Sequence, residues 1–175
     1  MLETAYTKTG EKATAKSYDL LPNEQVINLK VIAYEYDNRG LLCLQSEDSV
    51  QKQYEYDANG NRTRFDLVIG TRAALPLYWE YDGLNRLTAL YRGAKTPNGL
   101  MAQYTYDANS NRSTLAQGPA TVAYVYNEAN LVTAITTQTP QKTETFSYAY
   151  YQDGNVKQKT QYGKSTLYCY DAQGR

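Results

Sequence analysis

Apolar and polar residues alternate along much of this 175-residue chain. Tyrosines stand two positions apart with a polar residue between them, as in Tyr54-Glu55-Tyr56. Because side chains in a strand alternate between the two faces of a sheet, both rings lie on one face. The three-four spacing of an amphipathic helix is not sustained, and turn residues recur too often for helices. The pattern predicts short antiparallel β-strands along the chain.

A motif of the form aromatic-x-Tyr-Asp recurs along the sequence, and repeats of this kind indicate the architecture of a chain. Ser17-Tyr18-Asp19 fits it as a degraded first copy. The aromatic and acidic residues expected to be structural anchors of the repeat are Tyr34, Tyr36 and Asp37; Tyr54, Tyr56 and Asp57; Trp79, Tyr81 and Asp82; Tyr104, Tyr106 and Asp107; Tyr124 and Tyr126; Tyr148 and Tyr150; and Tyr168, Tyr170 and Asp171.

Each copy is followed by residues that favour a tight turn. A type I turn prefers Asp or Asn at its first position and Gly at its fourth. A fourth residue that tolerates a left-handed backbone gives a compact hairpin with a bulge. We therefore predict hairpin turns at 37–40, 57–60, 82–85 and 107–110. The fourth residues of the seven copies are Gly40, Gly60, Asn85, Ser110, Asn130, Gly154 and Gly174.

The fold class predicted is all-β, built of tandem antiparallel hairpins. Residues 1–30 are expected to form further hairpins with turns at Thr9-Gly10 and Leu21-Pro22-Asn23, and residues 31–175 to form the repeat array. Longer connections are expected at 72–77 and 92–99. The chain stops after Gly174-Arg175, so the second strand of the last hairpin is expected to be missing, which leaves Tyr168–Tyr170 as an unpaired edge strand.

Composition narrows the chemistry. Lys and Arg together number 18, as do Asp and Glu, so no net charge attracts nucleic acid. Histidine is absent, which removes Ser-His-Asp systems and the usual zinc and haem ligands. Cys43 and Cys169 lie far apart in no ligand spacing, and two free thiols are favoured over one disulfide. We expect no metal, no cofactor and no catalytic residue, and no apolar run reaches membrane-spanning length.

Three sets of residues have both a functional and a structural interpretation. The tyrosine pairs could stack on sugars or an unfolded guest, but their period favours packing within the sheet, with Leu42, Leu87 and Val132 fitting between them. The turn Asp residues could act as acid and base or bind calcium, but turn formation explains them. A third set, predicted to form ion pairs across strands rather than bind nucleic acid, comprises Arg62, Arg86 and Arg112 with Glu35, Glu55 and Glu80.

The complete motif Tyr-x-Tyr-Asp-x-x-Gly-Asn-Arg at 54–62 resembles the Rhs/YD-repeat family. That family includes bacterial Rhs polymorphic toxins, shell components of Tc toxins, wall-associated proteins and teneurins. The resemblance implies a curved sheet that spirals into a hollow shell. Bacterial shells of the family close with an Asp-Pro-x-Gly motif where self-cleavage occurs, but this sequence has no Asp-Pro dipeptide. We therefore assign no protease residues.

The function expected is a non-catalytic structural segment of a YD-repeat β-shell that encapsulates or displays a toxin or effector. The alternative is a cell-surface adhesion module that binds carbohydrate or a receptor through exposed Tyr and Arg. The expected partners are further repeats of the shell or an enclosed effector, with homo-oligomers forming through edge strands as a further outcome. The parent protein is expected to be secreted or on the bacterial surface.

Overall fold

The computed structural model describes residues 2–171 and 173–174. Sixteen strands and one short 3-10 turn occur within these residues, without an α-helix, and strands account for 60% of the chain. The all-β class and the tandem antiparallel hairpins are confirmed. Two compact units are present, Met1–Gly99 and Leu100–Arg175. The division expected at residue 30 stays a prediction.

The first unit is a run of antiparallel strands joined in chain order. Each strand pairs with the next, except that β6 pairs with both the two-residue β7 and the following β8. The strands are β1 (Leu2–Tyr6), β2 (Lys12–Leu20), β3 (Val26–Tyr36), β4 (Leu42–Glu47), β5 (Val50–Tyr56), β6 (Arg62–Ile69), β7 (Arg72–Ala73), β8 (Leu77–Tyr81) and β9 (Leu87–Arg92), followed by the 3-10 turn Pro97–Gly99.

The second unit has the same construction. Its strands pair in chain order, and every pair is antiparallel. They are β10 (Leu100–Tyr106), β11 (Arg112–Gln117), β12 (Ala120–Tyr126), β13 (Val132–Gln138), β14 (Thr143–Tyr150), β15 (Val156–Gln161) and β16 (Lys164–Leu167).

The two ends of the hairpins carry different turns. Because a repeat contains two strands, the turns of successive repeats fall on the same edge of the sheet. In each unit we call this edge the Asp-turn edge. It carries turns 7–11, 37–41, 57–61 and 82–86 in the first unit, and the corresponding edge of the second unit carries turns 107–111, 127–131 and 151–155. The opposite edge has two-residue turns at Asp48-Ser49, Gly118-Pro119 and Tyr162-Gly163.

The turns of the Asp-turn edge have the predicted geometry. In turn 57–61, Gly60 N–H donates to the carbonyl of Asp57 (3.2 Å) and Asp57 N–H to that of Asn61 (2.9 Å). The strand register shifts between Glu55 and Tyr56, which marks the bulge. All seven predicted fourth residues have positive φ, from 58° at Asn130 to 87° at Gly154. The predicted turns at 37–40, 57–60, 82–85 and 107–110 are confirmed.

Side chains alternate between the faces as the pleat requires. Tyr34 and Tyr36 are half-buried with Glu35 exposed between them, and the pattern repeats at Tyr54 and Tyr56 around Glu55. Among the described residues, the buried apolar side chains are Ala15, Ala89 and Ala102. The strands of each unit form one layer, so large side chains are covered only by their neighbours in the sheet.

One predicted turn is present and one predicted strand is absent. The turn predicted at Leu21-Pro22-Asn23 lies at 21–25, and Asp19 of the degraded copy lies within β2. Asp19 would place Pro22 at the fourth position, where the fixed negative φ of proline is incompatible with the turn. Tyr168–Tyr170 is not a strand, since β16 ends at Leu167. Arg175, the end of the expected truncated hairpin, lies outside the described residues.

Candidate functional site on the tyrosine face and the Asp-turn edge

In the turns that open with Asp or Asn, the side chain of that residue caps the turn from within. Asp57 Oδ1 accepts hydrogen bonds from the backbone N–H groups of Asn59 (3.0 Å) and Asn61 (2.8 Å), and Oδ2 accepts one from the Asn61 amide (3.0 Å). These bonds favour the carboxylate, so the pKa of Asp57 is lowered, with the Asn61 side chain as the largest cause. Each Asp side chain therefore stabilises its own turn.

Asp37 and Asp82 repeat this arrangement with an arginine. Arg39 pairs with Asp37 at 2.9 Å, and Arg86 pairs with Asp82 at 2.7 Å. The pKa of Asp37 is lowered first by the N–H of Leu41, and that of Asp82 is lowered first by the Arg86 side chain. Asn127 replaces Asp in its own turn and accepts the same two backbone bonds, at 3.0 and 2.9 Å.

The second tyrosine of each motif connects two consecutive hairpins. Tyr56 donates its hydroxyl hydrogen to the carbonyl of Leu42 at 2.9 Å. The acceptor lies five residues after Asp37, which opens the preceding turn on this edge. We call this bond the tyrosine clamp. It recurs with the same spacing from Tyr36 to Lys12, Tyr81 to Arg62, Tyr126 to Arg112, Tyr150 to Val132, and Tyr170 to Val156.

The clamp lies where backbone pairing between hairpins has ended. The last pair between β4 and β5 is Leu44 with Gln53, so the carbonyl of Leu42 lies beyond the ladder. A carbonyl left without a partner in a part-buried place costs free energy, and the tyrosine hydroxyl supplies the missing donor. Burial raises the pKa of the clamp tyrosines Tyr56, Tyr81, Tyr126 and Tyr150.

The first aromatic residue stacks on a cation in five of the motifs: Tyr34, Tyr54, Trp79, Tyr104 and Tyr124. The guanidinium of Arg62 lies 5.6 Å from the ring centre of Tyr54 and 5.3 Å from that of Trp79, which belong to successive hairpins. In the second unit, Arg112 lies in the same way between Tyr104 (5.9 Å) and Tyr124 (5.1 Å). Leu42, Leu87 and Val132 occupy the same repeat position as these arginines.

This stacking corrects the predicted ion pairs of Arg62, Arg86 and Arg112. Arg62 and Arg112 stack on aromatic rings, and Arg86 pairs with Asp82 of its own turn. The cation paired with Glu55 is Arg64 (3.1 Å), on the opposite face, where it also binds Asp66 at 2.7 Å. Glu80 pairs with Lys95 at 3.5 Å. The bulge explains the error, because it shifts the strand after each turn by one residue.

Asparagine side chains bridge neighbouring turns of the Asp-turn edge. The amide groups of Asn59 and Asn61 both donate to Asn85 Oδ1 at 2.8 Å. Asn109 and Asn111 likewise donate to Asn130 Oδ1, at 3.3 and 2.8 Å. Asn85 and Asn130 are the fourth residues of their turns, so each combines positive φ with acceptance of a bridge, which glycine cannot do.

Sequence reasoning missed one copy of the motif. Tyr6-Thr7 precedes Gly10 at the fourth position, and Gly10 N–H donates to the carbonyl of Thr7 at 3.1 Å. Lys12, five residues after Thr7, receives the clamp from Tyr36 and lies 5.5 Å above the ring of Tyr34. In this copy Thr7 replaces Asp as the capping acceptor. Gly10 at the fourth position was therefore the sequence feature that could have identified the copy.

The described residues do not include a group of three or more His, Cys, Asp or Glu arranged to hold a metal. Cys43 and Cys169 are free thiols, the first half-buried and the second exposed. No helix among these residues is long and apolar enough to cross a membrane. On the tyrosine face and the Asp-turn edge, stacked rings, capped turns and bridged amides join each hairpin to its neighbours.

Comparisons with known proteins show likeness at the level of structure. No family model matches the chain, and no curated protein matches its sequence. A chain of the Photorhabdus luminescens Tc holotoxin pore matches with a TM-score of 0.56 at 12% identity, covering 99% of this chain and 13% of that chain. A chain of the TcdB2-TccC3-Cdc42 crystal structure matches with a TM-score of 0.49 at 15% identity, covering 97% of this chain and 8% of that chain.

The likeness to the holotoxin chain shows a shared fold. It confirms, for the fold, the resemblance to the Rhs/YD-repeat family that the motif at 54–62 indicated. This chain corresponds to a small part of the length of each of these two chains.

Proposed function

We propose that this chain is a non-catalytic structural segment of a YD-repeat β-shell, which encapsulates or displays a toxin or effector. The observation that carries the proposal is the tyrosine clamp, which uses a side chain of one hairpin to complete the backbone of the preceding one. The clamp occurs six times, and its acceptor always lies five residues after the residue that opens the preceding turn. Such a repeated connection supports a β-sheet that is extended by adding further hairpins. Further repeats of the same kind are the partners that such a wall requires.

The likeness to a chain of the Tc holotoxin pore supports the same proposal, because that chain has this fold within a toxin assembly. A parent protein of this kind is exported, so we expect it to act outside the cell that makes it. Most of the aromatic and acidic anchors are engaged in clamps, stacks and caps, and this supports a role in assembly rather than in catalysis. Carbohydrate recognition has less support, because Arg62 covers faces of Tyr54 and Trp79 that a sugar would need.

Imaging the native gene product that contains this sequence by cryo-electron microscopy tests the proposal. We expect a β-wall that includes the anchors from Tyr34 to Tyr170 and that surrounds or presents a second polypeptide segment. Limited proteolysis should leave that segment intact in the native protein and cleave it once the wall is unfolded. A product without such a wall, or glycan binding that is lost when Trp79 is replaced, would contradict the proposal. Self-association through edge strands stays a prediction, which light scattering over a concentration series checks.

A further inference from the structure

Turns 127–131 and 151–155 lack the asparagines that bridge turn 57–61 to turn 82–86 and turn 107–111 to turn 127–131. Asn59 and Asn61 reach Asn85, and Arg39 Nη1 donates to the carbonyl of Asp57 at 2.6 Å. Between turns 127–131 and 151–155, the two donor positions are occupied by Ala129 and Leu131, and the acceptor position is occupied by Gly154. Neither side can form the amide bridge, because none of these three side chains carries a polar group.

A cleft of about 610 Å³ lies where this bridge is missing. Its lining includes the three replaced positions together with the aromatic residues Tyr148 and Tyr150 and the carboxylate residue Asp153. The apolar residues suit an aliphatic chain, the aromatic residues suit a cation, and the carboxylate supplies an opposite charge. The whole cleft lies within the second unit.

We propose that this cleft binds an arginine side chain of a partner polypeptide. The chain itself shows the chemistry twice: Arg62 lies between Tyr54 and Trp79, and Arg39 bridges one turn to the next. Here the position of Arg62 is occupied by Val132 and that of Arg39 by Ala129, so neither carries an arginine of the chain itself. A guanidinium supplied by a partner suits the cleft beside Ala129, since it stacks on rings and donates several hydrogen bonds in one plane.

The carboxylate of Asp153 supplies the negative charge that would pair with the guanidinium of the partner. Its two oxygens accept the backbone N–H and the side-chain amide of Asn155, each at 3.0 Å, and each oxygen retains a second lone pair. The ion pairs formed among the described residues do not include Asp153. Lys157 lies 5.7 Å above the ring of Tyr151, a residue of the lining, but is not itself part of the lining.

The test titrates the whole chain with N-acetyl-arginine methylamide and follows amide chemical shifts by NMR. Saturable shifts confined to residues 127–133 and 148–154 are expected, with a Kd on the order of millimolar for this single side chain. The neutral citrulline analogue should bind at least about tenfold more weakly, because the carboxylate and aromatic contacts depend on the charge. Equal binding of citrulline, saturation by glucose at the same residues, or shifts elsewhere would overturn the proposal.

Two variants distinguish a loss of arginine binding at the cleft from a loss of folding stability. Leu131→Asn combined with Gly154→Asn rebuilds the bridge that Asn61 and Asn85 form, and asparagine tolerates the positive φ of this position as it does at Asn85. This double variant should lose arginine binding while its thermal unfolding temperature is kept or raised.

Asp153→Asn should weaken arginine binding by about tenfold, since a charge-assisted bond is lost. Glu128→Gln is the matched control, because Glu128 lies exposed in the neighbouring turn 127–131 outside the lining, and this variant should bind arginine as the wild type does. Full binding in both the double variant and Asp153→Asn would refute the site.

Discussion

The hydroxyl of Tyr56 donates a 2.9 Å hydrogen bond to the carbonyl of Leu42, which lies two residues beyond Leu44, the last residue of β4 paired with β5. A side chain here continues the bonding that the backbone ladder has stopped providing. The same relationship joins Tyr150 to Val132 at 2.6 Å in the second unit. The aromatic repeat therefore serves the connection between hairpins as well as packing on one face.

Removing one clamp hydroxyl should destabilise the protein. Tyr56→Phe keeps the ring but leaves the part-buried carbonyl of Leu42 without its donor, and we expect the free energy of unfolding to fall by about 1–2 kcal/mol. Tyr54→Phe is the matched control, because the hydroxyl of Tyr54 makes no identified hydrogen bond within the described residues. That variant should change the free energy by well under 1 kcal/mol. Urea denaturation measures both, and equal losses would show that the clamp contributes nothing.

The fourth position of a turn should be sensitive to a Cβ atom through backbone strain alone. Gly60 has φ of +85°, and a Cβ there would meet only Leu41 Cδ1 at 3.8 Å. Gly60→Ala should therefore cost about 1–2 kcal/mol from left-handed strain, and Gly60→Asn should cost less because Asn85 occupies the same conformation. Gly83 lies at the second position of its turn without positive φ. Gly83→Ala should be neutral or stabilising by up to about 1 kcal/mol in the same denaturation experiment.

Arg62 should stabilise the sheet through the two rings that it separates. Arg62→Ala removes both stacking contacts, and we expect a loss of about 1 kcal/mol, since an exposed cation–π contact contributes about 0.5–1 kcal/mol. Arg62→Met keeps an apolar chain between the rings and should lose less. Trp79 is the single tryptophan of the chain, so its fluorescence reports on this place. An unchanged emission spectrum in Arg62→Ala would contradict the stacked arrangement.

Local chemistry made the hairpins predictable from the sequence. Turn 57–61 needs only Asp57 as a cap and Gly60 at positive φ, and both signals lie within five residues. The clamp from Tyr56 to Leu42 was not predictable in the same way, because it depends on where pairing between two hairpins ends. The partner of Arg62 was missed for a related reason, since a bulge after the turn decides which side chain faces which.

The degraded copy at Tyr18-Asp19 shows which residue of the motif is needed to form a turn. Tyr18-Asp19 has the dipeptide of the motif, but Pro22 at the fourth position cannot adopt positive φ. Tyr6-Thr7 lacks the aspartate but has Gly10, whose φ is +93°. The residue that closes the turn is therefore a better guide to the register of these hairpins than the tyrosine-aspartate pair.

The Asp caps should make stability fall in acid. The pKa values of Asp37, Asp57 and Asp82 are lowered in the folded state, so these groups hold fewer protons when folded than when unfolded. Their contribution to stability is complete above the unfolded pKa of about 3.9 and is lost as the pH falls through the lower folded values. The urea midpoint should thus stay nearly constant from about pH 7 to 5 and decline below about pH 4.

Replacing all three carboxyls distinguishes this cause from general acid unfolding. Asn127 already caps its turn with two backbone hydrogen bonds, so Asp37→Asn, Asp57→Asn and Asp82→Asn together should keep the turns while removing their titration. The triple variant should show a shallower loss of stability below about pH 4 than the wild type. Asp48→Asn, in a turn of the opposite edge, should keep the wild-type profile. If the triple variant declines as steeply as the wild type, the acid sensitivity arises outside the Asp-turn edge.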